Sequence, residues 1–246
     1  MNSIHLIQSE LRKLSTTRMP LAFGAVLVVI AVINGVAVAV GTDMDGSKTF
    51  ISTGIDQQSL MAFAANALML AGLFGATAAS REYGHNTIIA TYLITPDRPR
   101  ALRAQLVAIA AGGGVLGIVG AALTAVAVAV SLPLTDHGFM VSASGVAQVL
   151  AASAWAGAAG AVLGAGIGTV VRNTGGAVTG AVIALVIAPP VVVQLASGAA
   201  SWVPSTLAHV ASGVATETST AAAVVGIGVW ALVPALVALW AVQHRD

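Results

Sequence analysis

An all-α membrane fold with six spanning helices is predicted by three features of this sequence. Of 246 residues, 57% are apolar and only 8% are charged, against about 25% charged in an ordinary soluble domain. The charges are gathered between long apolar runs, as expected when lipid surrounds the chain. There are six such runs, each with the roughly 20 residues a helix needs to cross a hydrocarbon core of ~30 Å.

The first run, Pro20 to Val40, is longer than the apolar core of about 7 to 15 residues in a cleaved signal peptide, so a retained span is expected. The others are Ser59 to Ser80, Ala104 to Leu132, Val146 to Val171, Ala177 to Ser197 and Ala221 to Val242, and none contains Asp, Glu, Lys, Arg or His. The third is the longest, about 43 Å at 1.5 Å per residue, so it should tilt or project from the bilayer. In the fifth, Pro189–Pro190 removes two backbone donors and is expected to kink or break the helix.

The connecting segments alternate in charge. Arg12, Lys13 and Arg18 precede the first span, Arg81, Arg98, Arg100 and Arg103 lie between the second and third, Arg172 follows the fourth and Arg245 lies beyond the sixth. The opposite connections hold one basic residue, Lys48, beside Asp43, Asp45, Asp56, Asp136 and Glu217. This asymmetry places both ends of the chain in the cytoplasm by the positive-inside rule. Trp240 suits the inner membrane interface and Trp202 the outer one.

Three segments are not simple spans. Within residues 1–19, Ile4, Ile7, Leu11 and Leu14 form one helical stripe, with Ser3 as N-cap and Arg12, Lys13 and Arg18 on other faces. This pattern fits an amphipathic helix lying on the inner membrane surface. In the cytoplasmic loop 81–103, Asn86 can cap a short helix carrying Ile88, Ile89, Tyr92 and Leu93 on one face. Pro96 ends that helix, and Asp97 caps a second one that tolerates Pro99 in its first turn and runs into the third span. A helix–break–helix unit with an apolar face invites a partner protein, unless that face rests on the membrane. The outer segment 198–220 carries Trp202, Pro204, Leu207 and Val210 among small polar residues. It is too apolar for a free loop and too short to span, so it is expected to dip into the outer leaflet.

Most catalytic chemistry is missing. The chain has no cysteine, which removes disulfides, thiolate metal sites and cysteine nucleophiles. The five histidines are scattered on both sides without ligand spacing. Gly41 to Thr49 reads G-T-D-M-D-G-S-K-T, one inserted residue away from a phosphate-binding loop, but it follows a span and carries two aspartates. Glycines at 112–114, and at 160, 164 and 168 with four-residue spacing, fall inside spans, where small residues let helices approach closely. Whether the Gly160, Gly164 and Gly168 ridge packs within the subunit or between subunits is open at this level. No basic stripe with interleaved aromatics is present for nucleic acid. Uncharged spans also lack the ionisable residues on which proton and ion relays depend.

Three motifs carry a family resemblance. Arg81-Glu82-Tyr83-Gly84-His85-Asn86-Thr87-Ile88, followed by Thr95-Pro96 and Arg98 to Arg103, resembles the E-Y-x-x-G-T-I … T-P-x-R signature of bacterial type-two ABC exporter permeases. Glu10-Leu11-x-Lys13-Leu14-x-Thr16-Thr17-Arg18 is similar to that family's E-x-x-K-L-x-T-T-R opening, and Gly164-x-Gly166-x-Gly168 with Val171-Arg172-Asn173 to its G-x-G-x-x-x-x-x-V-R-N segment. The family's usual glycine before Thr87 is Asn86 here.

The resemblance implies a single transmembrane permease domain over residues 1–246, in the bacterial inner membrane. It implies pairing with a second permease copy or homologue, and a separate cytoplasmic ABC ATPase that binds the ATP and magnesium. Residues Arg81, Glu82, Tyr83, Asn86, Thr87, Ile88, Ile89, Tyr92, Leu93, Pro96 and Arg98 would couple to the ATPase. Glu10, Leu11, Lys13, Leu14 and Arg18 would belong to the interfacial helix, and 198–220 would form short re-entrant helices. Export of an amphipathic or lipid-like molecule is the expectation. The alternatives are a secondary transporter and a non-transporting membrane anchor or assembly subunit.

Overall fold

The computed structural model describes residues 3–84 and 97–244; their regular structure is all helical, with no strand among the described residues. Among the described residues ten helices follow in order: α1 Ser3–Thr16, α2 Met19–Val40, α3 Gly54–Met61, α4 Ala64–Gly84, α5 Arg98–Ser131, α6 Ala143–Val171, α7 Thr174–Val182, α8 Ala188–Leu195, α9 Pro204–Ala211 and α10 Thr220–His244. Short 3-10 turns and one π-helical turn fill several of the joins. By length and composition, six helical stretches are able to cross a membrane: α2, α3 with α4, α5, α6, α7 through α8, and α10. This is the architecture of a multi-pass membrane protein.

Local sequence explains most boundaries. Asp97 accepts a hydrogen bond from the Arg100 N–H at 3.0 Å and so starts α5, with Pro99 in its first turn. Ser142 caps α6 through the Gly145 N–H, and Asn173 caps α7 through the Gly176 N–H. Thr53 and Asp56 cap α3 reciprocally. Each such cap satisfies donors that have no partner inside the helix.

The second span departs from expectation at its start. It does not run unbroken from Ser59, because Ala62 is extended and separates α3 from α4. That kink turns both Met61 and Phe63 inward, at 0% and 1% exposure, with the Phe63 ring against Gly120 of α5. The fifth span departs in the other direction. Pro189–Pro190 does not break it; a π turn over Ile183–Ile187 widens the helix just before the prolines, which then sit in the first turn of α8. A π turn bonds i to i+5, and the Ala188 N–H accordingly reaches the Ile183 carbonyl.

The core is organised around α6, which meets α4, α5 and α10 on different faces. Toward α4, a Cβ added at Gly160 or Gly164 would land on the carbonyl oxygen of Leu68 or Gly72, and one at Gly168 would lie 2.7 Å from that of Ala76. The ridge therefore packs within the subunit, on a row of α4 with the same four-residue spacing. Toward α5, Gly157 meets Gly113 and Gly117 meets Ser153, again backbone to backbone. Toward α10, Gly166 lies against Pro234 and Ala235. In lipid no hydrophobic effect pulls helices together, so contact at backbone distance supplies much of the association energy. The peripheral α2, α7–α8 and α10 instead leave Val, Ile and Leu rows exposed, such as Val29, Val32 and Ile33 on α2 and Val229, Val233 and Leu236 on α10. Lipid is the natural solvent for these rows.

Candidate functional site at the basic end of the bundle

The end of the bundle that carries α1 and the arginine-rich segments brings three separated motifs together. Its centre is the last turn of α4, which carries Arg81, Glu82 and Tyr83.

From one side α1 grips it. The buried face of α1 is Leu6 and Glu10, at 5% and 7% exposure, and it rests mainly on α5, while Leu14 packs beside Phe74, Leu102 and Leu106. Lys13 reaches from α1 to two carboxylates, Glu10 at 2.6 Å and Glu82 at 3.3 Å. Burial works to lower the Lys13 pKa, but the hydrogen bond to Glu10 and the charges of Glu82 and Glu10 outweigh it and leave it above its usual 10.5. The sign follows. While Glu10 and Glu82 are ionised, the contribution of the Lys13 ammonium is fully present below about pH 10.5 and is lost as pH climbs through the raised value. Of the expected apolar stripe, Ile4 and Leu11 remain 59% and 39% exposed on the flank of α1. This flank points away from the bundle, as a helix lying on lipid requires.

From the other side the α6–α7 turn grips α4. The chain reverses there in two residues. Arg172 takes a left-handed conformation, φ 58°, as the C-cap of α6, and Asn173 starts α7. The reversal sets the Arg172 guanidinium 5.2 Å from the centroid of the Tyr83 ring, a cation–π contact of about 0.5 to 1 kcal/mol at a partly exposed site. The Ser80 hydroxyl donates to the Thr174 hydroxyl at 3.3 Å beside it. Arg18 lies in the short join from α1 to α2, and Arg98 is exposed at the start of α5. Asn86, Thr87, Ile88, Ile89, Tyr92, Leu93 and Pro96 lie outside the described residues.

Replacing Lys13 by methionine removes the cation shared by Glu10 and Glu82. Hydrogen exchange of the α1 amides at neutral pH should then quicken several-fold, and a further Glu10→Gln change should restore much of the protection. Unchanged exchange in Lys13→Met would show that the bridge does not hold α1 in place.

The opposite, acidic end is a cap of loops and short helices. Buried Gln57 donates to the Ile51 and Gly138 carbonyls at 3.2 and 2.9 Å and accepts from the Met140 N–H at 2.9 Å. Gln58 donates to the Ser212 carbonyl and Gln148 to that of Ala211, so two glutamines hold the end of α9. Leu207, Ala208 and Val210 of α9 are buried in the cluster that joins α4, α6 and α10. None of these glutamines was singled out by the sequence, although a polar amide beside an apolar run was the available signal.

The near-match to a phosphate loop lies here too. Asp43 accepts hydrogen bonds from the Thr49 N–H and hydroxyl, Ser47 bonds Asp45 and Asp43, and the Lys48 ammonium donates to the Ala39 carbonyl at 2.8 Å. The Thr49 hydroxyl first, and then its N–H, holds the Asp43 carboxyl below the usual range, and Ser47 does the same for Asp45. Donors that such a loop would offer to phosphate are thus taken by the chain's own carboxylates. No protein-family model matches the chain, and no curated protein matches it.

Proposed function

We propose that this chain is the membrane permease subunit of an ATP-driven exporter of the type-two ABC class. It would move an amphipathic or lipid-like molecule, such as a drug, an antimicrobial peptide or a lipid, outward across a bacterial plasma membrane. A separate cytoplasmic ATPase would bind and hydrolyse the ATP. The observation that carries this reading is the grip on the last turn of α4, by Lys13 from α1 and by Arg172 from the α6–α7 turn. The three motifs that resemble the family, at 10–18, 81–88 and 164–173, contribute to one cluster. Residues 85–96 continue directly from it, so a push on that segment enters α4 and passes to α6 through the glycine ridge.

In this reading the basic end is cytoplasmic, following the positive-inside rule. α9 and the turn before it form a re-entrant segment outside, and a second copy or a homologous permease completes the pathway. A secondary transporter is less well supported, because the six apolar runs of the sequence contain no residue able to carry a proton or hold an ion by charge. The test is reconstitution of the chain with the ATPase that co-purifies from native membranes. Vanadate-sensitive, ATP-driven flux of a fluorescent lipid analogue is expected when ATP reaches the basic end, in inside-out vesicles, and not in right-side-out vesicles. Flux that follows an ion gradient without ATP would reverse the assignment.

A further inference from the structure

At least two backbone carbonyls near the middle of the fifth span have no helical donor. In a regular helix the Leu185 carbonyl would accept from residue 189, and in a π turn from residue 190; both are proline and have no N–H. The Ala184 carbonyl would accept from residue 188 or 189, but the Ala188 N–H is used by Ile183 and residue 189 is proline. No side chain among the described residues donates to either carbonyl. The two sit at the centre of a 22-residue stretch that is otherwise apolar. Leu185 is anchored there, since its side chain fills the space over Gly72 of α4. On the flank of the same turn Ile183, Val186 and Ile187 remain exposed at 48%, 42% and 51%.

Backbone carbonyls left unpaired at membrane depth are costly, and non-helical backbone is tolerated there where it lines a cavity or meets a partner. Carbonyls freed where a membrane helix leaves regular geometry, as at broken helices, can accept from cations and from hydrogen-bond donors of a ligand. We infer that the Ala184 and Leu185 carbonyls form a polar subsite for the hydrogen-bond donors of an amphiphile whose tail lies along the Ile183, Val186 and Ile187 face. The group recognised is an ammonium, amide or hydroxyl bearing hydrogen, and not merely a positive charge. This rests on the proposed transport of an amphipathic molecule and names its recognised end.

Two amphiphiles with the same twelve-carbon chain and the same charge separate these ideas (chain length chosen for the probe, about the reach of one leaflet). Dodecylammonium carries N–H donors and dodecyltrimethylammonium carries none. Saturable binding to the purified chain in nanodiscs, corrected against empty nanodiscs, should favour dodecylammonium by about tenfold. In Pro189→Ala with Pro190→Ala, which returns N–H donors for the Ala184 and Leu185 carbonyls, that preference should collapse toward unity. Equal binding of the two probes to the unaltered chain would overturn the inference, as would an undiminished preference in the double Pro189→Ala, Pro190→Ala variant. The comparison on the unaltered chain does not depend on the variant folding. Nor does it require an ATPase, so its failure is distinct from failure of the exporter assignment.

Discussion

Gly164→Val should prevent recovery of a folded, monodisperse protein, whereas Gly24→Ala should leave yield and thermal stability unchanged. At Gly164 a Cβ would coincide with the Gly72 carbonyl oxygen and crowd the Ala76 nitrogen, so backbone and not a flexible side chain must move. The α4–α6 interface has to open along its length, because Gly160 and Gly168 fix the same two helices above and below. Overpacking in a well-packed core usually costs about 1 to 3 kcal/mol. Here the clash is with main chain at the hub of the bundle, so about 3 kcal/mol or more is expected, a large part of a total stability of about 5 to 15 kcal/mol. At Gly24 an added Cβ meets nothing within 4 Å. Size-exclusion profiles and melting temperatures in detergent measure both. A Gly164→Val protein that melts within a degree or two of the unaltered chain would mean that α4 and α6 are not held at backbone distance.

The periodic and compositional parts of the fold were legible in sequence. The five spans other than the second begin and end within a few residues of their apolar runs, and α5 shows the expected helix that Asp97 caps and that continues into the third run. The glycine spacing at 160, 164 and 168 announced a close approach, but not which helix would supply the other side; that depends on the matching row Leu68, Gly72 and Ala76 of α4, read only in three dimensions. What stayed hidden was long-range. The break at Ala62 ends a short α3 that Gln57 ties to the distant Gly138 and Met140, contacts no local pattern announces. The sequence marked Pro189–Pro190 as a disruption, yet the chain absorbs it in a π turn, a choice that depends on how Leu185 packs over Gly72.

At the basic end the legibility was similar. The amphipathic stripe on α1 was visible by spacing, but only part of it docks: Leu14 packs on the bundle beside the more deeply buried Leu6 and Glu10, while Ile4 and Leu11 stay exposed. Glu82 and Lys13 were each candidates, and their bridge across 69 positions was not foreseeable from local pattern. Arg172 reaches Tyr83 through a left-handed turn that a non-glycine residue seldom adopts.

The central claim is that residues 81–98 receive force from a separate ATPase and deliver it to α4. Ile88, Ile89, Tyr92 and Leu93 share one helical face by their spacing, and Glu82 joins that segment to the Lys13 bridge. Ile89→Asp with Leu93→Asp sets two charges on the face. If the face docks, each charge must be desolvated at a cost of several kcal/mol, enough to lower affinity by a thousandfold or more. No span is altered, so membrane insertion and yield should be unaffected. The decisive measurement is quantitative recovery of the ATPase with the tagged chain from native membranes, double variant against unaltered protein. The account predicts that the variant inserts normally and recovers almost no ATPase. Recovery equal to that of the unaltered chain would contradict it, and would place the apolar face on the membrane surface instead.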